Sequence, residues 1–265
     1  MKEKIIGIIP ARLASTRLER KLLQDICGKS VLQRTYESVL HSGIFDEVLI
    51  AADHEELISH ATTFGAEAIM TSASHQSGTD RIAELASKYQ ARDIIINIQG
   101  DEPFISKEHL TTIVGLFNTT IEIASLYTKI ESTEELHQNS VVKLCFDLQH
   151  FALFFSRHPI PYLRNSATQN WLEHHNYYRH IGIYGFRNET LQKITKLKIS
   201  SLEKAESLEQ LRWLENGYKI KMGGVKEKSI GIDTEMDLVN ARKLIVEKLM
   251  VKSKIKKIQS IQKIL

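Results

Sequence analysis

Apolar positions near the start form Lys4-Ile-Ile-Gly-Ile-Ile-Pro10, a nearly unbroken β-branched run stopped by proline. Such a run suits a strand buried on both faces, as in a parallel sheet. A polar loop follows, and Ser30 then stands where a helix N-cap belongs. Behind it Val31, Thr35 and Val39 share a face with Leu32, Tyr36 and Leu40, and Gly43 supplies a stop. The pattern recurs with a strand at Glu47–Ala52, a capping-box-like Asp53 and Glu56, and a helix closed by Gly65. A strand around Ala66–Met70, a helix near Thr79–Tyr89 and a strand at Asp93–Gln99 complete the run. Alternation of this kind predicts βαβ units with right-handed crossovers, hence an α/β, doubly wound, mostly parallel central sheet.

After about Ile121 the rhythm changes. Ile121–Thr128, Val141–Phe146, Phe151–Ser156 and Tyr178–Arg187 read as strands with few helices between them. Asn165–His175 is a polar excursion without periodicity, and Ser201–Asn216 reads as one helix carrying Leu208, Leu211, Trp213 and Leu214. The expected architecture is a nucleotide-binding part (about 1–120 and 218–247) and a smaller mixed lobe (about 121–217) with a cleft between them. A basic tail, 248–265, follows.

Composition narrows the function classes. The six lysines of the tail exceed the whole net charge of +3, which leaves −3 on the first 247 residues. A nucleic-acid binder carries its basic stripe on the folded body, so polymeric nucleic acid is not an expected partner. Cys27 and Cys145 form no C-x-x-C pair, which fits a reducing compartment. No signal-peptide pattern and no run of membrane-spanning length is present, so the expectation is a soluble, cytoplasmic protein without stable membrane insertion. In the tail, Ile255, Ile258 and Ile261 fall at near-helical spacing, compatible with a membrane-surface helix, while a frayed basic terminus fits the same composition.

Ligands of open α/β sheets bind outside the carboxyl ends of the strands. After the first strand, Pro10 to Lys21 holds the cations Arg12, Arg17, Arg20 and Lys21 with Ser15 and Thr16 between them, a loop suited to a triphosphate. It lacks the P-loop spacing, and a solvated basic loop accounts for the same residues. After the fourth strand comes Gln99-Gly-Asp-Glu-Pro103, and Gly231-Ile-Asp233 is expected to repeat an acid after a short apolar strand. Two carboxylates with phosphate oxygens make a magnesium site, although Asp233 also fits a helix cap. The loop His75–Arg81 could read ribose and base edges or be an ordinary turn and cap. The four prolines, Pro10, Pro103, Pro159 and Pro161, flank these polar segments and stiffen them. His174, His175 and His180 have no cysteine or acid at ligand spacing, which argues against zinc.

Taken together, Ile8–Arg12, Ser15–Leu18 and Lys21 resemble the signature of the CMP-sugar synthetases. So do His75–Arg81, Asn97–Pro103, Phe155–Arg157, His180–Phe186, Leu208–Arg212 and Gly231–Thr234, in order over roughly residues 4–245. The likeness is greatest to members that use the sugar acid 3-deoxy-manno-octulosonate (Kdo); sialic acid or an amino-substituted Kdo is the alternative acceptor. A non-catalytic protein on the same scaffold is the contrasting reading, and the presence of Arg12, Lys21, Asp101 and Asp233 argues against it.

The resemblance implies a Rossmann-like nucleotidyltransferase fold with a dimerisation and acceptor lobe, a homodimer, and transfer of CMP from CTP to the sugar acid. The product would enter lipopolysaccharide biosynthesis. By position it gives the catalytic role to Arg12, Lys21 and Asp101, with Asp101 and Asp233 binding Mg2+. Nucleotide contacts fall to Pro10, Ala11, Arg12, Lys21, Ser77, Gly78, Thr79 and Gln99. Acceptor contacts fall to Arg17, Gln99, Arg157, His180, Tyr184, Glu209 and Gln210. Three positions depart from the family pattern: Glu19 replaces a usual proline, Arg20 a small residue and Cys27 a usual asparagine before Gly28. Glu19 is therefore expected to face solvent or pair with Arg20.

Overall fold

The apolar run at the N-terminus forms β1 (Ile5–Ala11), with its residues from Ile6 onward buried. The computed structural model describes residues 2–262, with side chains for 2–247 and 250. In chain order β1 is followed by α1 (Val31–His41), β2 (Glu47–Ala52), α2 (Glu55–Thr62), β3 (Ala68–Met70), α3 (Gly78–Ala86), β4 (Ile94–Asn97) and α4 (Lys107–Gly115). The second half holds β5 (Ile123–Lys129), α5 (Thr133–His137), β6 (Lys143–Phe146), β7 (Ala152–Ser156), α6 (Trp171–His174) and β8 (Tyr178–Arg187). It closes with α7 (Asn188–Ile194), α8 (Ser201–Glu206), α9 (Gln210–Glu215), β9 (Ile220–Gly224) and α10 (Glu235–Gln262).

The strands make one sheet in the order β3-β2-β1-β4-β8-β5-β9. β8 is antiparallel to both neighbours, while the remaining strands of this path run in one direction. The sheet is mixed and mostly parallel, as the alternating pattern predicts. The hairpin of β6 and β7 branches from β8 at Lys143 opposite Arg179. Both faces are covered, and successive residues of β1 and β4 alternate between them. Ile6, Ile8 and Ile95 join one core, whereas Ile9, Ala11, Ile94 and Ile96 join the other. This is the period-2 signature of a strand packed by helices on both sides.

Three local expectations change. Asp53 does not cap α2; His54 does, accepting from the Glu56 amide. The Asp53 carboxylate instead binds the Leu13 amide at 2.9 Å and Arg81 at 3.2 Å, tying the basic loop to α3. The stretch 201–216 is two helices rather than one. A capping box of Ser200 and Glu203 starts α8, and Ser207 in the left-handed region (φ 52°) ends it, so that Leu208 turns inward and α9 starts afresh. The excursion before β8 contains the short α6, anchored by buried Trp171. The side chains of the tail, and with them the reading of Ile255, Ile258 and Ile261, lie outside the described residues.

Candidate active site

Between the carboxyl ends of β1 and β4 and the start of α3 lies a cavity of about 230 Å³, lined in part by Pro10, Arg12, Lys21, Ser77, Gly78, Gln99 and Asp101. Close backbone approach forms its floor. A Cβ on Gly100 would stand 3.0 Å from the Pro10 carbonyl oxygen, and one on Gly78 would stand 3.2 Å from the Pro10 ring. These glycines let the strand ends and the helix start meet around one small ligand.

Charge gathers at the mouth. The Lys21 ammonium binds Asp101 and lies 2.9 Å from Asp233, whose carboxylate also holds Arg17 at 2.8 Å. Burial alone would lower the Lys21 pKa, but the two carboxylates outweigh it and leave it raised. Asp233 reaches this point because the Ile232 amide donates to the Asp101 carbonyl at 2.9 Å. Asp237 takes over the turn, accepting from the Asp233 and Thr234 amides, so the Asp233 side chain is free for the cleft. The two aspartates therefore converge on one cation. Two carboxylates open to phosphate oxygens match the donor set of magnesium, and the ammonium stands in for such a cation here. Arg12 is exposed at the rim, and among the described residues it has no hydrogen-bonding or ionic partner.

The basic loop is held rather than loose. Ser15 accepts from the Lys21 amide at 3.2 Å, and Leu18 is buried. Arg20 pairs with Glu56, not with Glu19, which is exposed to solvent. Ala11 lies buried in β1, one residue inside the cavity wall.

The acceptor residues adjoin this cavity through Glu209. Its carboxylate accepts from Ser77 at 3.0 Å and Thr79 at 2.7 Å. Burial raises its pKa, and these two bonds offset only part of that. Tyr184, beside it, is 8% exposed and has the one buried polar side-chain atom without a partner among the described residues. Burial and the Glu209 charge push that phenol well above its usual range. The His180 ring packs 5.2 Å from Tyr184 and 5.1 Å from Phe155. Burial, helped by the Arg179 charge, pushes the His180 pKa down to about 3, so the imidazole is neutral.

Two expected acceptor residues stand apart from these contacts. The Arg157 guanidinium caps the end of α8, donating to the carbonyls of Glu206 at 2.7 Å and Ser207 at 3.2 Å, and to Asn139 at 3.2 Å. Gln210 is buried at the start of α9.

Two further residues, Glu102 and Arg81, lie at or beside the site. Glu102 bonds Ser229, and burial, with the nearby Asp101 charge, pushes its pKa up to about 7. Arg81 is 4% exposed, lines the cavity and is fixed by Thr71 at 2.7 Å and by Asp53. Its partners come from other elements, so a lone arginine inside a helical pattern does not disclose them. The adjacent acids of Gln99-Gly-Asp-Glu-Pro103 did point toward Glu102.

With this geometry in place, comparison with known proteins is informative. The cytidylyltransferase family model matches residues 6–221. A 3-deoxy-manno-octulosonate cytidylyltransferase of Bacteroides thetaiotaomicron is 46% identical over 91% of this chain and 98% of its own length. One of Phocaeicola vulgatus is 47% identical over 90% of this chain and 96% of its own. A solved CMP:2-keto-3-deoxy-manno-octonic acid synthetase complexed with CTP superposes with a TM-score of 0.86 at 38% identity, covering 93% of this chain and all of that one.

Proposed function

The chain belongs to the cytidylyltransferase family, and on that premise we propose that it transfers CMP from CTP to Kdo with release of pyrophosphate. The observation that carries this reading is the convergence of Lys21, Asp101 and Asp233 at the mouth of a small cavity beside Arg12. The solved synthetase of the same fold is complexed with CTP, which supports a nucleotide as the occupant of this cavity.

In this reaction the anomeric hydroxyl of the sugar acid attacks the α-phosphorus of CTP in line with the departing pyrophosphate. Catalysis then rests on positioning and on cations set where charge spreads, with little covalent work for the protein. Arg12 and Lys21 bind the triphosphate and stabilise the leaving group. Gln99 and the Ser77–Thr79 turn lie along the nucleoside, and Asp101 orients the attacking hydroxyl. Asp101 and Asp233 would hold Mg2+, which supplies charge neutralisation on the phosphates. On the acceptor side Tyr184 donates, neutral His180 and Glu209 accept, and Arg17, paired with Asp233 at the mouth, is assigned to the sugar acid.

The exposed Leu148 and Leu153 around the β6–β7 hairpin support a homodimer formed by the acceptor part of the chain, about residues 121–217. Two free cysteines support a reducing, cytoplasmic setting, where the product would serve lipopolysaccharide assembly. Among the described residues no helix is long and apolar enough to cross a membrane.

The deciding assay is pyrophosphate release from CTP with Kdo, and separately with sialic acid, with and without magnesium. Release with Kdo that requires magnesium is the expected result. No release with any sugar acid sinks the reading, and preferential release with sialic acid transfers it to the other acceptor.

A further inference from the structure

The pairing of β5 with β8 is interrupted between Ser125 and Leu126. Ser125 lies opposite Tyr184 while Leu126 lies opposite Ile181, so Gly182 and Ile183 bulge out of the ladder. Because two residues are inserted, the side-chain alternation is kept, and His180 and Tyr184 stay on the face of Ser125. In a regular strand residues four apart are separated by roughly 13 Å. Here the His180 and Tyr184 ring centres are 5.2 Å apart. Bulges of this kind recur beside active sites, where they re-aim side chains.

The same bulge brings the Ser125 hydroxyl, in a fully buried residue, to three partners. Its oxygen lies 2.7 Å from the Ile183 carbonyl, 2.8 Å from His180 Nε2 and 3.4 Å from the Ile181 carbonyl, so Ile183 is the nearer of the two carbonyls. A carbonyl only accepts, so the single hydroxyl proton of Ser125 goes to Ile183. The serine oxygen then accepts from His180, which places the imidazole proton on Nε2. Nδ1 keeps its lone pair, and no hydrogen-bond partner for it is found among the described residues. The opposite tautomer would leave the 2.7 Å contact with Ile183 without a proton and set two oxygen lone pairs against each other.

We propose that Ser125 is a positioning residue: it locks His180 in the Nε2–H tautomer, so that Nδ1 accepts a hydroxyl of the sugar acid while Tyr184 donates to it. A sugar hydroxyl both gives and takes a hydrogen bond, and this pair offers one of each. The neutrality of His180 agrees with the arrangement, since a doubly protonated ring has no acceptor to offer. The proposal rests on the acceptor reading of this site, and its test separates the two.

In the full-length protein labelled with 15N-histidine, the His180 ring signals, identified by their loss in His180→Gln, are expected to report the Nε2–H form at neutral pH without any substrate. An Nδ1–H form, or an even mixture, overturns the proposal. Ser125→Ala is expected to mix the tautomers and to raise KM for Kdo about tenfold, the size of one lost hydrogen bond. KM for CTP stays within about twofold in the same variant, because no contact of the nucleotide side is removed. Ser125→Cys keeps the bulk of the side chain and replaces the oxygen with a weak acceptor, so it is expected to fold as the parent and to show the same KM shift. An unchanged KM for Kdo, or an equal rise for both substrates, overturns the role of Ser125. Absence of turnover with every sugar acid defeats the assigned reaction instead, while the tautomer spectrum still decides whether Ser125 sets the ring.

Discussion

At the mouth of the cavity, Arg12, Lys21 and Asp101 follow the ends of β1 and β4, and Asp233 joins them from the loop before α10, where the expected strand does not form; within β5 and β8, Ser125, His180 and Tyr184 are largely neutral and mostly out of water. In the proposed reaction the first group handles an anion and works by charge, which tolerates exposure and some freedom of position. The second is proposed to discriminate among hydroxyls, and that needs directed donors and acceptors on rigid strands where an unmade bond is costly. The difference teaches why a mixed sheet serves this site. Parallel strands deliver loops at one edge, whereas the antiparallel β8, with its bulge, delivers side chains from the sheet itself.

The largest expected effect tests the charged end. Asp101→Asn removes one of the two carboxylates on Lys21, and pyrophosphate release at saturating magnesium is expected to fall at least about 100-fold. Near-normal turnover would show that the convergence of charges does not drive the chemistry. At the neutral end the sharpest test is acid stability. The His180 pKa in the folded protein, about 3, lies below the usual unfolded value, so the unfolded chain binds the proton first. Its contribution is present above about pH 6.5 and is lost as pH falls from there toward 3, amounting to about 2 kcal/mol by pH 5. His180→Gln is therefore expected to lose less stability between pH 7 and pH 5 than the parent, measured by denaturant unfolding. Parallel losses would place a charged imidazole at this end and erase the contrast.

Tyr184→Phe sharpens the comparison further. The hydroxyl has no partner among the described residues, so its removal costs none of their hydrogen bonds and Tm is expected to stay level or rise. KM for Kdo is expected to increase about tenfold. A drop in Tm with unchanged KM would assign the residue to packing alone. The smallest effect belongs to Glu19→Ala. Exposed and without an ion pair among the described residues, Glu19 is expected to alter kcat/KM for CTP by less than about twofold.

Much of the charged end is legible in the chain, because the strand-end rule locates it before any contact is known. Pro10 to Lys21 and Gln99 to Pro103 follow apolar runs that read as strands, and the structure joins them. Glu19 faces solvent, one of its two expected outcomes, while Arg20 finds Glu56 from a helix far along the chain. The neutral end is less open to such reading. Ser125 is one polar residue inside an apolar strand, and its meaning depends on a register shift against β8 that no local pattern encodes. Arg157 illustrates the same limit: its motif points to the acceptor, yet its guanidinium meets the carbonyls at the end of α8.

The sequence by itself determined the alternating elements, the mostly parallel sheet and the loops that carry charge, because hydrophobic period and strand-end chemistry are local properties. Only the tertiary structure decided that Asp101 and Asp233, 132 positions apart, share one ammonium, that Asp53 braces a loop instead of capping a helix, and that 201–216 breaks at Ser207. It also brought Ser125 to His180 and to the Ile183 carbonyl through a bulge, the contacts from which we infer the tautomer of His180. Pairings across distant segments are set by packing and register, and those exist only once the chain has folded.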